Sequence, residues 1–210
     1  FEITVPKDGS YEASIRYCNG TQATKDLNLY VNGSYIETIS FGSIGGNWNE
    51  WQRLEWKFRI PKDFQPTTKF CHLHQLKAQE GNNGAPLITI STRCDEDGGN
   101  KRVQVIHTGD TRTSGKGIII DNLPLADFED EWIQVETEMH YTHHGTFRIK
   151  LTRISDGKVL ADQSFADVDL WRKGATSIRN KFGIYRSLGR KMQSASDRPD
   201  NGLKDESLQL

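Results

Sequence analysis

The sequence predicts an all-β protein, two antiparallel sheets packed as a sandwich of the β-jelly-roll kind, and three observations predict it. Short runs with apolar residues in period two recur along the 210 residues, and such runs place alternate side chains on opposite faces of a sheet. Clusters of Gly, Asn, Asp and Pro separate the runs, which is turn chemistry. No long stretch carries the 3.6-residue period of an amphipathic helix, and many short strands between frequent turns fit sandwiches and jelly rolls.

The elements follow in chain order. Leu27 to Val31 alternates and runs into Asn32-Gly33, the strongest short hairpin signal, before Ser34 to Phe41 resumes a strand. Trp56 to Ile60, Lys69 to Leu76, Leu87 to Thr92, Arg102 to His107 and Trp132 to Tyr141 read as further strands. Phe147 to Leu151 alternates apolar with basic, and Asp156-Gly157 turns the chain into a strand from Lys158. Asp167 to Arg172 hints at a short helical turn, and Lys181 to Tyr185 is the last strand. Glu80 to Pro86, Asp95 to Lys101 and Gly189 to Lys204 form loop-rich rims, where sandwiches carry mobile binding segments, and Gly189 to Gly202 reads as a lid beside Tyr185.

Length fits one domain over residues 1–210. The net charge of -1 gives no global field for nucleic acid or an anionic membrane, so any anionic ligand must meet a local cluster of basic groups. No apolar run approaches the roughly 18 residues of a membrane span. Neither nucleic acid nor membrane is an expected partner, and a monomer is expected. The chain begins at Phe1 without a signal-like segment and reads as a mature or trimmed product, and the sequons at Asn19 and Asn32 favour a secreted, extracellular setting. Cys18, Cys71 and Cys94 have no metal spacing and allow one disulfide at most.

Two resemblances cover different parts. Residues 1–50, through Val5-Pro6-Lys7-Asp8-Gly9-Ser10-Tyr11, Ile15-Arg16-Tyr17-Cys18-Asn19-Gly20, Leu29-Tyr30-Val31-Asn32-Gly33 and Trp48 to Trp51, resemble the first part of carbohydrate-binding modules for xylan-type glycans. Fifty residues of such a module cannot bury a core alone, so these strands are expected to complete the sheets formed by the rest. Residues 51–210, through Trp56-Lys57-Phe58-Arg59-Ile60-Pro61, His72-Leu73-His74-Gln75-Leu76-Lys77, Pro86-Leu87-Ile88-Thr89-Ile90, Asp169-Leu170-Trp171-Arg172, Lys181-Phe182-Gly183-Ile184-Tyr185-Arg186-Ser187-Leu188 and Leu203-Lys204-Asp205-Glu206, resemble jelly-roll polysaccharide lyases of the glucuronan and alginate lyase type. That resemblance implies a concanavalin-like jelly roll, an acidic polysaccharide as partner, and cleavage of a uronate chain by β-elimination.

Strand alternation puts His72 and His74 on one face of their strand and Cys71, Leu73 and Gln75 on the other, and Lys181, Gly183 and Tyr185 on one face of a second strand. In alginate lyases a Gln-x-His strand and a Lys-x-Gly-x-Tyr strand face one another across the cleft; here His72 stands in place of that Gln. β-Elimination removes the proton beside the carboxylate, so a cationic or hydrogen-bonding group must stabilise the enolate-like charge. Resemblance and chemistry together point to His72, helped by Gln75, Lys181 or Arg186, for that task, with Lys77 beside them. They point to Tyr185 for proton transfer, and to His74 to hold the substrate or act as base. Arg53-Leu54-Glu55 could match an Arg-x-Glu element of such lyases, both side chains on one face, yet Glu55 abuts Trp56 where the family has a considerable stretch between. No metal is required; calcium, known in some relatives, would be sought at Asp95-Glu96-Asp97-Gly98.

Milder readings attach to other residues. His143-His144 before Gly145 reads as a solvated hairpin turn, and His107 and His140 have no evident partner in the sequence. The five tryptophans belong more often to a core than to a sugar platform, with Trp48 and Trp51 as the exceptions. The alternative to catalysis is a non-catalytic carbohydrate-binding protein on the same sandwich, while a glycoside hydrolase is disfavoured because no Glu-x-Asp-x-x-Glu strand supplies paired carboxylates.

Overall fold

A computed structural model describes residues 4–7, 9–11, 24–41, 45–110, 117–187 and 206–210. Cys18, the Asn19 sequon, the rim 189–204 and within it the stretch read as a lid, 189–202, lie outside the described residues. The described residues hold eleven strands: β1 (Lys25–Val31), β2 (Ser34–Phe41), β3 (Trp51–Phe58), β4 (Cys71–Gln79), β5 (Ile88–Arg93), β6 (Arg102–His107), β7 (Ile118–Pro124), β8 (Ile133–His140), β9 (Gly145–Arg153), β10 (Val159–Val168) and β11 (Ser177–Arg186). Every strand pairing is antiparallel. Two sheets, in the orders β10-β9-β8-β3 and β11-β4-β5-β6-β7, build the β-sandwich of the jelly roll.

The core lies between those sheets because each strand turns alternate apolar residues inward. Phe58, Ile133, Val135, Phe147, Ile149 and Leu151 come from the four-stranded sheet, and Leu73, Leu76, Ile88, Ile90, Val103, Val105 and Ile178 from the five-stranded one; all are essentially inaccessible to solvent. Each such side chain contributes about 1.5–3 kcal/mol by leaving water. Cys71 and Cys94 are buried thiols and are not joined to one another.

Three expectations are corrected. Among the described residues β1 and β2 pair only with each other in a separate two-stranded sheet, with every residue but Ile39 and Phe41 exposed, so they complete neither sheet of the sandwich. The edge of β11 is met instead by the segment after the hairpin, where Gly46 and Ile178 exchange backbone hydrogen bonds of 2.7 and 2.8 Å. Asp167 to Arg172 holds no helical turn: β10 runs through Val168, and the Asp169 carboxylate accepts from the Trp171 amide. The one helix among the described residues is a single 3-10 turn, Leu125–Asp127. Strand β7 was not foreseen, because register shifts against β6 break its alternation. No helix among the described residues is long and apolar enough to cross a membrane.

Candidate functional site on the outer face of the five-stranded sheet

The outer face of β11, β4 and β5 gathers most of the residues singled out in the sequence. Tyr185 lies opposite His72, and Lys181 opposite Gln75, across the β11–β4 pair. Ser91 lies opposite His72, and Thr89 opposite Gln75, across β4–β5. Directly paired residues share a face, so one polar strip holds Tyr185, His72 and Ser91 in one row and Lys181, Gln75 and Thr89 in the next. Lys77 and Arg179, a further pair, continue the strip.

His72 and His74 do not share this face whereas His72 and Gln75 do, both contrary to the alternation expected. The ladder shifts register between His72 and His74 against β5, and between Phe182 and Tyr185 against β4. A bulge spends an extra residue and reverses the phase beyond it. Gly183, at φ 126, takes up the irregularity on β11 in a backbone conformation side-chain-bearing residues rarely adopt. His74 therefore turns into the core, where it is 4% exposed and lies between the rings of Trp56 and Phe182 at centroid distances of 5.1 and 5.0 Å. Its Nε2 is 3.0 Å from Asn180 Oδ1. Burial pushes its pKa down to about 4, against a small opposing effect of Asn180. A neutral imidazole in the core cannot touch a ligand on the outer face.

The electrostatic role expected of His72 also changes. Burial, aided by the nearby Arg93 guanidinium, lowers its pKa to about 4, so the ring is neutral at ordinary pH and offers no charge to a carboxylate. Its Nδ1 lies 2.6 Å from Ser91 Oγ, and the Ser91 hydroxyl donates onward to Thr89 Oγ1 at 2.9 Å. With the single Ser91 proton committed to Thr89, Nδ1 is the donor to Ser91 and Nε2 keeps its lone pair. Phe70 stacks on His72 at 4.8 Å and 14° and flanks Tyr185 at 5.4 Å; the His72 and Tyr185 rings are 6.2 Å apart. Tyr185 is 60% exposed. Positive charge comes from Lys181, whose pKa is lowered by burial and by the neighbouring Arg179 and Lys77. That shared repulsion marks a basic cluster with capacity for an anion.

Three other assignments move away from the strip. Arg186 pairs opposite the core residue Cys71 and donates to Gln65 O at 3.3 Å, on the other face from Tyr185. Arg53 and Glu55 do share one face, as expected, yet that face is the outer side of β3 in the four-stranded sheet. There Arg53 pairs with Glu55 at 2.5 Å and with Glu136 at 3.2 Å; the sandwich core separates them from His72. In the Asp95-Glu96-Asp97-Gly98 loop, Asp95 accepts from Arg102 and Asn100, and Asp97 from the Gly99 amide. Among the described residues no three His, Cys, Asp or Glu side chains gather as metal ligands. The sequence reading missed Ser91, Thr89, Arg93 and Phe70; the period-two pattern Thr89-Ile90-Ser91-Thr92-Arg93 was the signal that three polar residues share a face.

No protein-family profile matches the chain. It is 48% identical over 52 residues to a 1,6-alpha-glucosyltransferase of Sporosarcina globispora, covering 25% of this chain and 4% of that protein. It is 33% identical over 85 residues to a cycloisomaltooligosaccharide glucanotransferase of Niallia circulans, covering 40% and 8%, and 42% identical over 50 residues to an exo-beta-D-glucosaminidase of Amycolatopsis orientalis, covering 23% and 5%. The chain thus spans less than a tenth of the length of these relatives. Among solved structures it is similar to an alginate lyase from Pseudomonas aeruginosa, with a TM-score of 0.42 and 18% identity over 71% of this chain and 62% of that one. It is also similar to a marine alginate lyase from Aplysia kurodai, with a TM-score of 0.42 and 13% identity over 84% and 73%.

Proposed function

We propose that the chain binds a uronate-containing polysaccharide along the outer face of the five-stranded sheet and cleaves it by β-elimination. The observation that carries this reading is the pairing of the exposed Tyr185 phenol with a neutral His72 whose Nδ1 is tied to Ser91, one row from Lys181 and Gln75. The resemblance of the strand sequences to uronate lyases supports it, and the partial relatives bear names of enzymes acting on carbohydrates. Lys181 and Gln75 meet the uronate carboxylate and stabilise the charge that grows there. The C5 proton passes to His72 Nε2, its electron pair forms the C4–C5 double bond, the C4–O bond breaks, and Tyr185 gives its proton to the departing oxygen. Because His72 stays neutral down to about pH 4, its base form is present throughout the range above that value.

The test is incubation with polyglucuronate and with alginate while following the ultraviolet absorbance of the unsaturated product. Product should form, and Tyr185→Phe and His72→Ala should each lower kcat by about 10²–10⁴-fold, the usual worth of a proton-transfer group. Arg53→Ala, on the other sheet, should leave kcat unchanged. Full activity in both Tyr185→Phe and His72→Ala would remove the mechanism. A second reading, non-catalytic carbohydrate binding, is favoured by the removal of Arg53 and Glu55 from the strip; glycan binding without product would select it.

A further inference from the structure

Away from the strip, one end of the sandwich holds an open pocket of about 600 Å3 lined by Trp48, Asp110, His143, Trp171, Arg172 and Lys173, with Gly174 at its rim. It sits past the Gln79–Ser177 end of β4 and β11, where Asn82 N donates to Lys173 O. At about 3.3 Å per residue this is roughly 23 Å along β4 from His72. Trp48 is 52% exposed, a large apolar surface for a solvated turn. The turn is nevertheless fixed. Gly46 bridges to Ile178, Asn47 N and Nδ2 donate to Glu50 Oε2 at 2.7 and 2.9 Å, and Asn49 N donates to Tyr141 O. The indole rests edge-on against Trp171 at 5.4 Å and 73°, and against the His143 ring at 5.4 Å.

The groups around that indole are oriented from beneath. Asp169, 5% exposed, accepts from His143 Nδ1 at 2.9 Å and from Asp110 N at 2.9 Å. His143 is thus not a freely solvated turn residue as its sequence setting suggests: its ring is held, and Nε2 is left to face a ligand. Arg172, 4% exposed, is occupied by the carbonyls of Ala85, Pro86 and Thr108 and by Asp110, which it fixes. Lys173 N donates to Asp110 Oδ2 at 2.8 Å, leaving its exposed ammonium at the rim.

From this arrangement we infer that the pocket is a second carbohydrate site, which takes one pyranose ring of a glycan chain stacked on Trp48. A pyranose has an apolar C–H face for a rigid indole and a rim of hydroxyls that both donate and accept. His143 Nε2, Asp110 and Lys173 supply both kinds of partner. A nucleobase could also use an indole, but its phosphate would meet the Asp110 carboxylate. The site stands independently of the elimination proposed above, since it shares no residue with the His72–Tyr185 strip.

The intact chain is titrated calorimetrically with short glucose oligosaccharides, short glucuronate oligosaccharides and adenosine monophosphate, with tryptophan fluorescence as a second signal. At least one saccharide should bind saturably. Trp48→Ala should weaken that binding about tenfold, and the exposed substitution Lys173→Ala should weaken it in a chain whose fold is undisturbed. Arg53→Ala, on the outer face of the other sheet, should leave it unchanged. Binding of the glucose series that Trp48→Ala weakens assigns a neutral ring, and Trp48-dependent binding of the glucuronate series alone an acidic one. The inference is overturned if no saccharide binds, if adenosine monophosphate binds more tightly than either, or if affinity survives both Trp48→Ala and Lys173→Ala and is lost in Lys181→Ala.

Discussion

His72 and His74 are two residues apart and both reach a low pKa chiefly through burial, with the Arg93 guanidinium adding to it for His72. For a histidine whose folded pKa lies below its unfolded 6.5, the unfolded chain binds the extra proton, so stability is full above about pH 6.5 and falls as pH drops towards about 4. For His74 the loss is on the order of 3 kcal/mol over that window. Urea unfolding from pH 7 to pH 4 should show it, and His74→Gln should flatten the acid limb; an unchanged limb would refute buried neutral His74. Tyr185, Lys181 and His72 could be singled out in the sequence and lie on one strip, whereas alternation put Gln75 on the opposite side of β4 from His72. Which histidine faced it was not legible, because a bulge has no residue signature of its own beyond a glycine, and Gly183 could equally be read as space beside Tyr185. Arg53 and Glu55 were correctly placed on one face, but the sequence does not say to which sheet a strand belongs.

Among elements, strands with clean alternation were legible. Arg102 to His107 matches β6 residue for residue, and the Asn32-Gly33 turn carries both residues at positive φ, 50 and 77, as a type I′ hairpin needs. β7 escaped because register shifts blur its period. The bridge from Gly46 to the β11 edge escaped as well, since a two-residue contact has no periodicity. That bridge is sterically exacting: a Cβ on Gly46 would lie 1.8 Å from the buried Tyr141 ring. Gly46→Ala should therefore cost about 1–3 kcal/mol, the range for overpacking, read from the urea midpoint. It should also loosen the turn that carries Trp48.

At the scale of the whole molecule, the two sandwich faces differ in charge although the net charge is only -1. The outer side of the four-stranded sheet neutralises itself through ladders such as Arg148 with Glu138 and Asp162, and Glu136 with Arg53 and Lys150. The strip on the five-stranded sheet instead sets Lys77, Arg179 and Lys181 together. A composition summary averages these faces away, which is why only the strand register reveals where an acidic polymer would lie. The β1–β2 hairpin adds little to either face, and a chain starting at Gly45 should unfold with nearly the same urea m-value, because m follows the surface exposed on unfolding. A large drop in m would mean the hairpin shares the core. The same hairpin leaves Leu27, Tyr30, Val31 and Ile36 about half exposed on a ribbon with two open edges. Among the described residues nothing pairs with either edge of this ribbon, and such an edge is a template for strand addition, so at high concentration the first part of the protein to self-associate is this ribbon.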